Sequence, residues 1–232
     1  MNLLLVAATA IEIKPFTERL VRAGRPGEQL TQYQFNAITI DVLITGAGMV
    51  PTAYFLGKQL TCRHYDLTIN AGLAGTFHES LPLGTVVNVV EDQMSDLGAE
   101  DGDKFHSVFA LGLTDPDSIP FREGKLINDF RESGIFAEIE TLRNLPHVSS
   151  ITSNTVHGNA ASIARIQSIS PADIESMEGA AFFYVCFCEK NPCLQIRAVS
   201  NLVEERDKTR WNTDLAITNL CDVLWAITMS HA

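Results

Sequence analysis

Two carboxylates stand where this chain could do chemistry. Glu12 follows the apolar run Leu3-Leu4-Leu5-Val6-Ala7-Ala8 across a short Thr9-Ala10-Ile11 link. Glu178 lies in Ile174-Glu175-Ser176-Met177-Glu178-Gly179-Ala180-Ala181, directly before the apolar run Phe182-Phe183-Tyr184-Val185-Cys186. A carboxylate has two accepting oxygens and no donor, which suits the two adjacent hydroxyls of a sugar. The plainer reading is that each acid stabilises the positive N-terminus of its own helix. His157 closes the stretch Ser153-Asn154-Thr155-Val156-His157-Gly158, where it reads as a pocket wall rather than a metal ligand. Arg206 belongs to the charged stretch Glu204-Glu205-Arg206-Asp207-Lys208-Thr209-Arg210, whose plain reading is a solvated turn.

The elements that must position these groups are legible from pattern. Residues 3–8 form an uninterrupted apolar run of strand length, as expected of a strand buried on both faces. Pro15 suits the first turn of a helix reaching about Ala23 and stopped by Gly24. Strands are expected over residues 32–36, 38–45, 66–71, 83–92, 147–152 and 194–200. Helices are expected over residues 52–60, 160–167 and 211–229, with a helical turn at 139–142. In open α/β sheets ligands bind at the carboxyl ends of strands, which places Glu12 at a strand mouth. Two mouths are rich in glycine, Gly46-Ala47-Gly48 and Gly72-Leu73-Ala74-Gly75, and together they suggest a ligand cradle. Neither is a dinucleotide fingerprint, because the third glycine is missing at the required spacing. Residues 93–136 are polar and irregular, a pattern of functional loops or subunit contacts.

The chain has 232 residues, enough for one α/β domain covering residues 1–232. Its net charge of −11 argues against a nucleic-acid binder, which needs a basic footprint. Five cysteines form an odd set without C-x-x-C, which fits a reducing cytoplasm better than a disulfide framework. No signal peptide is expected, because the N-terminus lacks a basic region and its apolar run is short, and no membrane span, since Asp214 and Asp222 break the apolar stretch near the C-terminus. The histidines lack the H-E-x-x-H spacing, and there is no G-x-S-x-G. No metal and no cofactor is therefore expected.

Taken in order, five stretches resemble the nucleoside phosphorylase/nucleosidase superfamily, closest to its futalosine hydrolase branch. They are Ala8 to Glu12, Ile44-Thr45-Gly46-Ala47-Gly48, Asn70 to Gly75, Ser176-Met177-Glu178-Gly179-Ala180-Ala181 and Arg197-Ala198-Val199-Ser200-Asn201. The resemblance covers nearly the whole chain. It implies a three-layer α/β sandwich whose central mixed sheet closes partly into a barrel. It also implies hydrolysis of a purine nucleoside at its N-glycosidic bond, and a homo-oligomer. Glu12 matches the carboxylate that activates water, and Met177 with Glu178 matches the ribose contacts. Gly75 belongs to the Gly-rich strand end, while Val156 and His157 frame the base. Asn201 matches the residue beside purine N7. Relatives that cleave adenine nucleosides carry Asp at that position, a further acid at Ser176 and a serine at Leu73. An Asn amide can donate to the O6 or N7 of a 6-oxopurine without carrying a proton. The distal carboxylate of a futalosine-type substrate needs a cation, for which Arg206 is preferred over Lys208 and Arg210. Other purine nucleosidases or phosphorylases, of inosine or methylthioadenosine type, remain open alternatives, as does a non-catalytic nucleoside binder.

Overall fold

The computed structural model describes residues 1–23, 27–128 and 139–230. Its centre is β1 (Asn2–Ala7), which runs parallel to both β4 (Ile38–Ile44) and β5 (Leu67–Thr76). Alternation along β1 explains its unbroken apolar sequence. Leu3, Leu5 and Ala7 join one buried cluster with Leu220, Leu224 and Ile227 of α6 (Thr213–Met229). Leu4 and Val6 join another with Leu56 of α2 (Met49–Cys62) and Phe182 and Phe183 of α5 (Gly179–Cys188). The sheet is thus the middle of three layers, as expected.

Beyond β5 the sheet continues through β12 (Cys193–Leu202), β6 (Val86–Met94), β10 (His147–Thr152) and β11 (Ile174–Ser176). β11 then pairs antiparallel with β5, so these five strands close on themselves. The expected partial barrel is this ring. On the other side β4, β3 (Leu30–Phe35) and β2 (Val21–Arg22) extend as an open wing. Helix α4 (Ala160–Ile169) makes the crossover from β10 to its parallel neighbour β11. Its first turn is capped by Asn159, which accepts from the Ser162 N–H.

Three expectations need correction. The helix expected from Pro15 to Ala23 is only one α turn, α1 (Lys14–Thr17), preceded by a 3-10 turn at Ile11–Ile13. Val21 and Arg22 instead pair with Gln34 and Tyr33, and the Ala23 N–H donates to Gln32. Sheet-edge hydrogen bonds have therefore replaced the helix; Gly24, its expected stop, lies outside the described residues. The second glycine-rich stretch is not a loop, because β5 runs through it to Thr76. Finally, Ile174–Ser176 is a strand where the sequence pattern shows only an acidic patch.

The irregular region holds a detached hairpin, β7 (Gly98–Asp101) with β8 (Lys104–Ser107), and the two-residue strand β9 (Leu126–Ile127). Residues 129–136 of it lie outside the described residues. A short helix, α3 (Glu140–Asn144), follows.

Candidate active site

One cavity of about 390 Å³ opens at the carboxyl ends of β1, β5 and β12. Glu12, Gly75, Val156, His157, Met177, Glu178, Asn201 and Arg206, all the residues singled out above, line it.

Glu12 is aimed by the 3-10 turn at Ile11–Ile13, directly before α1. Its Oε2 accepts from the Thr9 N–H and the Thr9 hydroxyl, both at 2.9 Å. Its Oε1 accepts from the Leu73 N–H at 3.2 Å. Three donors hold the carboxylate, and one comes from the main chain of the glycine-rich strand. A Cβ on Gly72 would stand 2.5 Å from Arg197 Nη1 and 3.1 Å from Glu12 Oε1. Only glycine lets Arg197 and Glu12 approach across that strand.

Glu178 occupies the N-cap position of α5, yet its side chain makes no capping bond. Its carboxylate oxygens are directed away from the first N–H groups of its own helix. Oε1 instead accepts the Gly48 N–H at 3.0 Å, and Oε2 lies 3.5 Å from Arg197 Nη1. Gly48 has φ of 99°, a left-handed conformation that favours glycine and turns its N–H toward the acid.

Sequence reasoning misses Arg197 and Glu175 as site residues. Arg197 is 1 % exposed and also bonds Asn70 Oδ1 and Gln195 Oε1. The available signal is a cation inside the run Leu194-Gln195-Ile196-Arg197-Ala198-Val199. A charge within a buried strand must be paired, and Gln195 and Arg197 share one strand face. Glu175, 4 % exposed, accepts from the His157 N–H at 3.1 Å and from its ring Nδ1 at 2.6 Å. The two contacts to one carboxylate fix the orientation of the ring. Their partnership spans a loop and a strand, which sequence spacing does not reveal.

Asn201 is oriented from both sides. The Ser200 hydroxyl donates to its Oδ1 at 2.8 Å, and its Nδ2 donates to the Leu202 carbonyl at 3.0 Å. The second N–H of the amide is left for a ligand. A Cβ on Gly75 would stand 3.1 Å from that Nδ2, so glycine leaves room for the amide.

Among the three basic residues proposed for a distal anion, Arg206 lines the cavity while Lys208 and Arg210 do not. Arg206 lies over the Trp211 ring, 5.2 Å from its centroid. Arg210 is engaged with Glu204. Among the described residues, no helix is long and apolar enough to cross a membrane, and no group of three or more His, Cys, Asp or Glu could hold a metal ion.

The chain is similar to known proteins along nearly its whole length. The profile described as the phosphorylase superfamily matches residues 2–228. Futalosine hydrolase of Streptomyces coelicolor is 30 % identical, over 97 % of this chain and 94 % of the relative. Futalosine hydrolase of Thermus thermophilus is 28 % identical, over 94 % of this chain and 91 % of the relative. The solved 5′-methylthioadenosine/S-adenosylhomocysteine nucleosidase of S. pneumoniae, with a transition-state inhibitor, superposes with a TM-score of 0.81. It is 20 % identical and all of both chains is covered. A futalosine hydrolase mutant of Helicobacter pylori superposes with a TM-score of 0.78 at 16 % identity, over 99 % of both chains. At such identities the two structures speak for the fold alone.

Proposed function

This chain belongs to the phosphorylase superfamily, and we propose that it is a futalosine hydrolase. It cleaves the N-glycosidic bond of futalosine with water and releases hypoxanthine, in the futalosine route of menaquinone biosynthesis. The similarity to futalosine hydrolases over nearly the whole chain supports this reading. The observation that carries it is the fixed Asn201 amide in the cavity that also holds Glu12 and Glu178.

Glu12 orients a water and takes its proton as the oxygen bonds to the anomeric carbon. Glu178 accepts from the ribose hydroxyls, with Met177 against the sugar. Binding there lowers the barrier where it strengthens as the ring gains oxocarbenium character. The carbon–nitrogen bond breaks with its electrons passing to the purine. Asn201 carries no transferable proton, so it stabilises the departing anion as a fixed dipole, and the purine is protonated from solvent. Val156 and His157 frame the base, with His157 held by Glu175. Gly75 gives the amide its room. Arg206, above the Trp211 ring, takes the distal carboxylate.

Water rather than phosphate is the nucleophile in this reading. The link after β1 is Ala8-Thr9-Ala10-Ile11, with no arginine for a phosphate. Arg197, the buried cation, is already engaged by Asn70, Gln195 and Glu178.

The whole chain acts as one such domain, in a reducing cytoplasm that suits its five free cysteines. We also propose a homo-oligomer. Apolar side chains at Val50, Tyr54, Leu113 and Ile119 are largely exposed, and Phe121, two residues after Ile119, packs on Tyr184 of α5. The test of activity is incubation with futalosine, inosine and methylthioadenosine, with and without phosphate, followed by chromatography for free base. Hypoxanthine from futalosine without phosphate is the expected result. A requirement for phosphate, or preference for methylthioadenosine, overturns the reading; tight binding without turnover makes the protein a binder.

A further inference from the structure

Asp92, near the end of β6, is wholly buried and does not line the cavity. Three donors converge on it. The Thr152 hydroxyl and the Gln93 N–H reach Oδ1 at 3.0 and 2.8 Å, and Gln195 Nε2 reaches Oδ2 at 2.9 Å. Two of these lead to the Glu178–Arg197 pair. The Thr152 oxygen accepts the Ala180 N–H at 2.8 Å, in the first turn of α5, directly after Glu178. Gln195, its amino group committed to Asp92, turns Oε1 to Arg197 and accepts from Nε at 3.4 Å and Nη2 at 3.3 Å.

Gly179 ties the arrangement together. A Cβ there would overlap both Gln195 Oε1 and Asp92 Oδ2. The glycine after Glu178 therefore brings the backbone of the ribose-binding stretch directly against the Asp92–Gln195 pair.

We propose that Asp92 is a positioning residue, which through Gln195 and Thr152 fixes both members of the Glu178–Arg197 pair for glycosidic cleavage. The inference rests on the hydrolase reading for the reaction that reports it. Its logic is the sense of each hydrogen bond. A carboxylate only accepts, so it forces the amino end of the Gln195 amide toward itself and the carbonyl end toward Arg197. Burial pushes the Asp92 carboxyl up to about 7, so the carboxylate form gains as pH rises through that value. An amide at position 92 that keeps its carbonyl on Thr152 and the Gln93 N–H points an amino group at Gln195. Gln195 must then turn over, and two donors face each other at Arg197.

The experiment is steady-state kinetics on futalosine at pH 8 for wild type, Asp92→Asn, Gln195→Met and the double variant Asp92→Asn with Gln195→Glu. Circular dichroism and thermal melts report folding. Asp92→Asn and Gln195→Met should each lose at least about tenfold in kcat/KM while folded. The double variant should recover most of the loss of Asp92→Asn, because the carboxylate placed at position 195 accepts from both the amide placed at position 92 and Arg197. A merely structural role would not produce that recovery. If Asp92→Asn fails to fold, Gln195→Met and the double variant carry the test. Folded single variants with wild-type kinetics, or a folded double variant no better than Asp92→Asn, overturn the proposal. So does failure of all three variants to fold, which makes the pair structural. A wild type inert toward futalosine sinks the functional reading instead, so the two failures are distinguishable.

Discussion

Arg197 Nη1 and Glu178 Oε2 stand 3.5 Å apart, and both side chains are almost wholly buried. They come from different elements, the barrel strand β12 and the cap of helix α5. A buried pair of this kind adds little net stability, because desolvation offsets the attraction, but losing one partner strands the other charge. Arg197→Met should therefore cost about 3–5 kcal/mol. For a chain of this size that is a fall in Tm on the order of ten degrees. A melt close to that of wild type would mean that Glu178 is held adequately by the Gly48 N–H alone. Glu178→Gln should stay folded yet lose roughly tenfold or more in kcat/KM, since an amide accepts less and points a donor at the ribose hydroxyls. Unchanged kcat/KM would remove Glu178 from the sugar.

Glu12→Gln keeps the shape of the side chain but not its basicity. Binding of the nucleoside should persist, measured by calorimetry, while kcat falls at least about 10²-fold. Near-normal turnover would exclude Glu12 as the base.

Asn201 sets the choice of base. Ser200 and Leu202 hold its amide against rotation, so the free N–H meets a 6-oxo group well and a 6-amino group badly. The mismatch leaves polar groups unpaired at roughly 1–3 kcal/mol, and the lower end corresponds to about fivefold to tenfold. Competition between futalosine and its 6-amino analogue reads this directly. Asn201→Asp should lose most activity on the hypoxanthine compound, because an ionised carboxylate repels the departing anion. Wild-type preference for the amino compound would transfer the assignment to a methylthioadenosine-type nucleosidase.

Arg206 bears on the distal carboxylate alone. Its guanidinium is exposed, which reduces a charge-assisted bond to about 1 kcal/mol. Arg206→Ala should raise KM for futalosine about fivefold and leave inosine unaffected. An equal effect on both substrates would show that Arg206 shapes the pocket rather than reading the anion.

Asp92 gives a stability test that is independent of catalysis. Burial raises its carboxyl from 3.8 to about 7, against the opposing pull of Thr152, Arg197 and the Gln93 N–H. The folded protein thus holds this proton more tightly than the unfolded chain. Its stabilising contribution is complete below about pH 4 and is lost as pH rises through about 7. The Tm difference between wild type and Asp92→Asn should fall steadily from about pH 4.5 to about pH 7.5. A flat difference would show a carboxyl ionised throughout that range.

The local pattern of the sequence carried most of the elements. The apolar alternation of Leu3 to Ala7 needs a strand covered on both faces, and Phe182 to Cys186 needs a buried helix; neither depends on distant partners. The order of the five motif stretches likewise brought Glu12, Met177, Glu178 and Asn201 to one site, because strand mouths gather at one edge of an α/β sheet. Tertiary structure decided what each group touches. Residues 15–23 could have extended as a helix, but β3 offered the backbone of Val21 to Ala23 a sheet edge. Gly72 and Gly75 suited a loop as well as a strand; their place in β5 follows from the bulk of Arg197 and Asn201 on the neighbouring strand and of Val203 just beyond it. Asp92 reads as an isolated polar residue in an apolar strand until the pairing of β6 with β12 sets it beside Gln195, and Arg197 reads so until Asn70 and Glu178 are set against it. Hydrogen bonds between positions about a hundred residues apart, such as Asp92 to Gln195, leave no spacing signal, since they depend on sheet order and register rather than on local sequence.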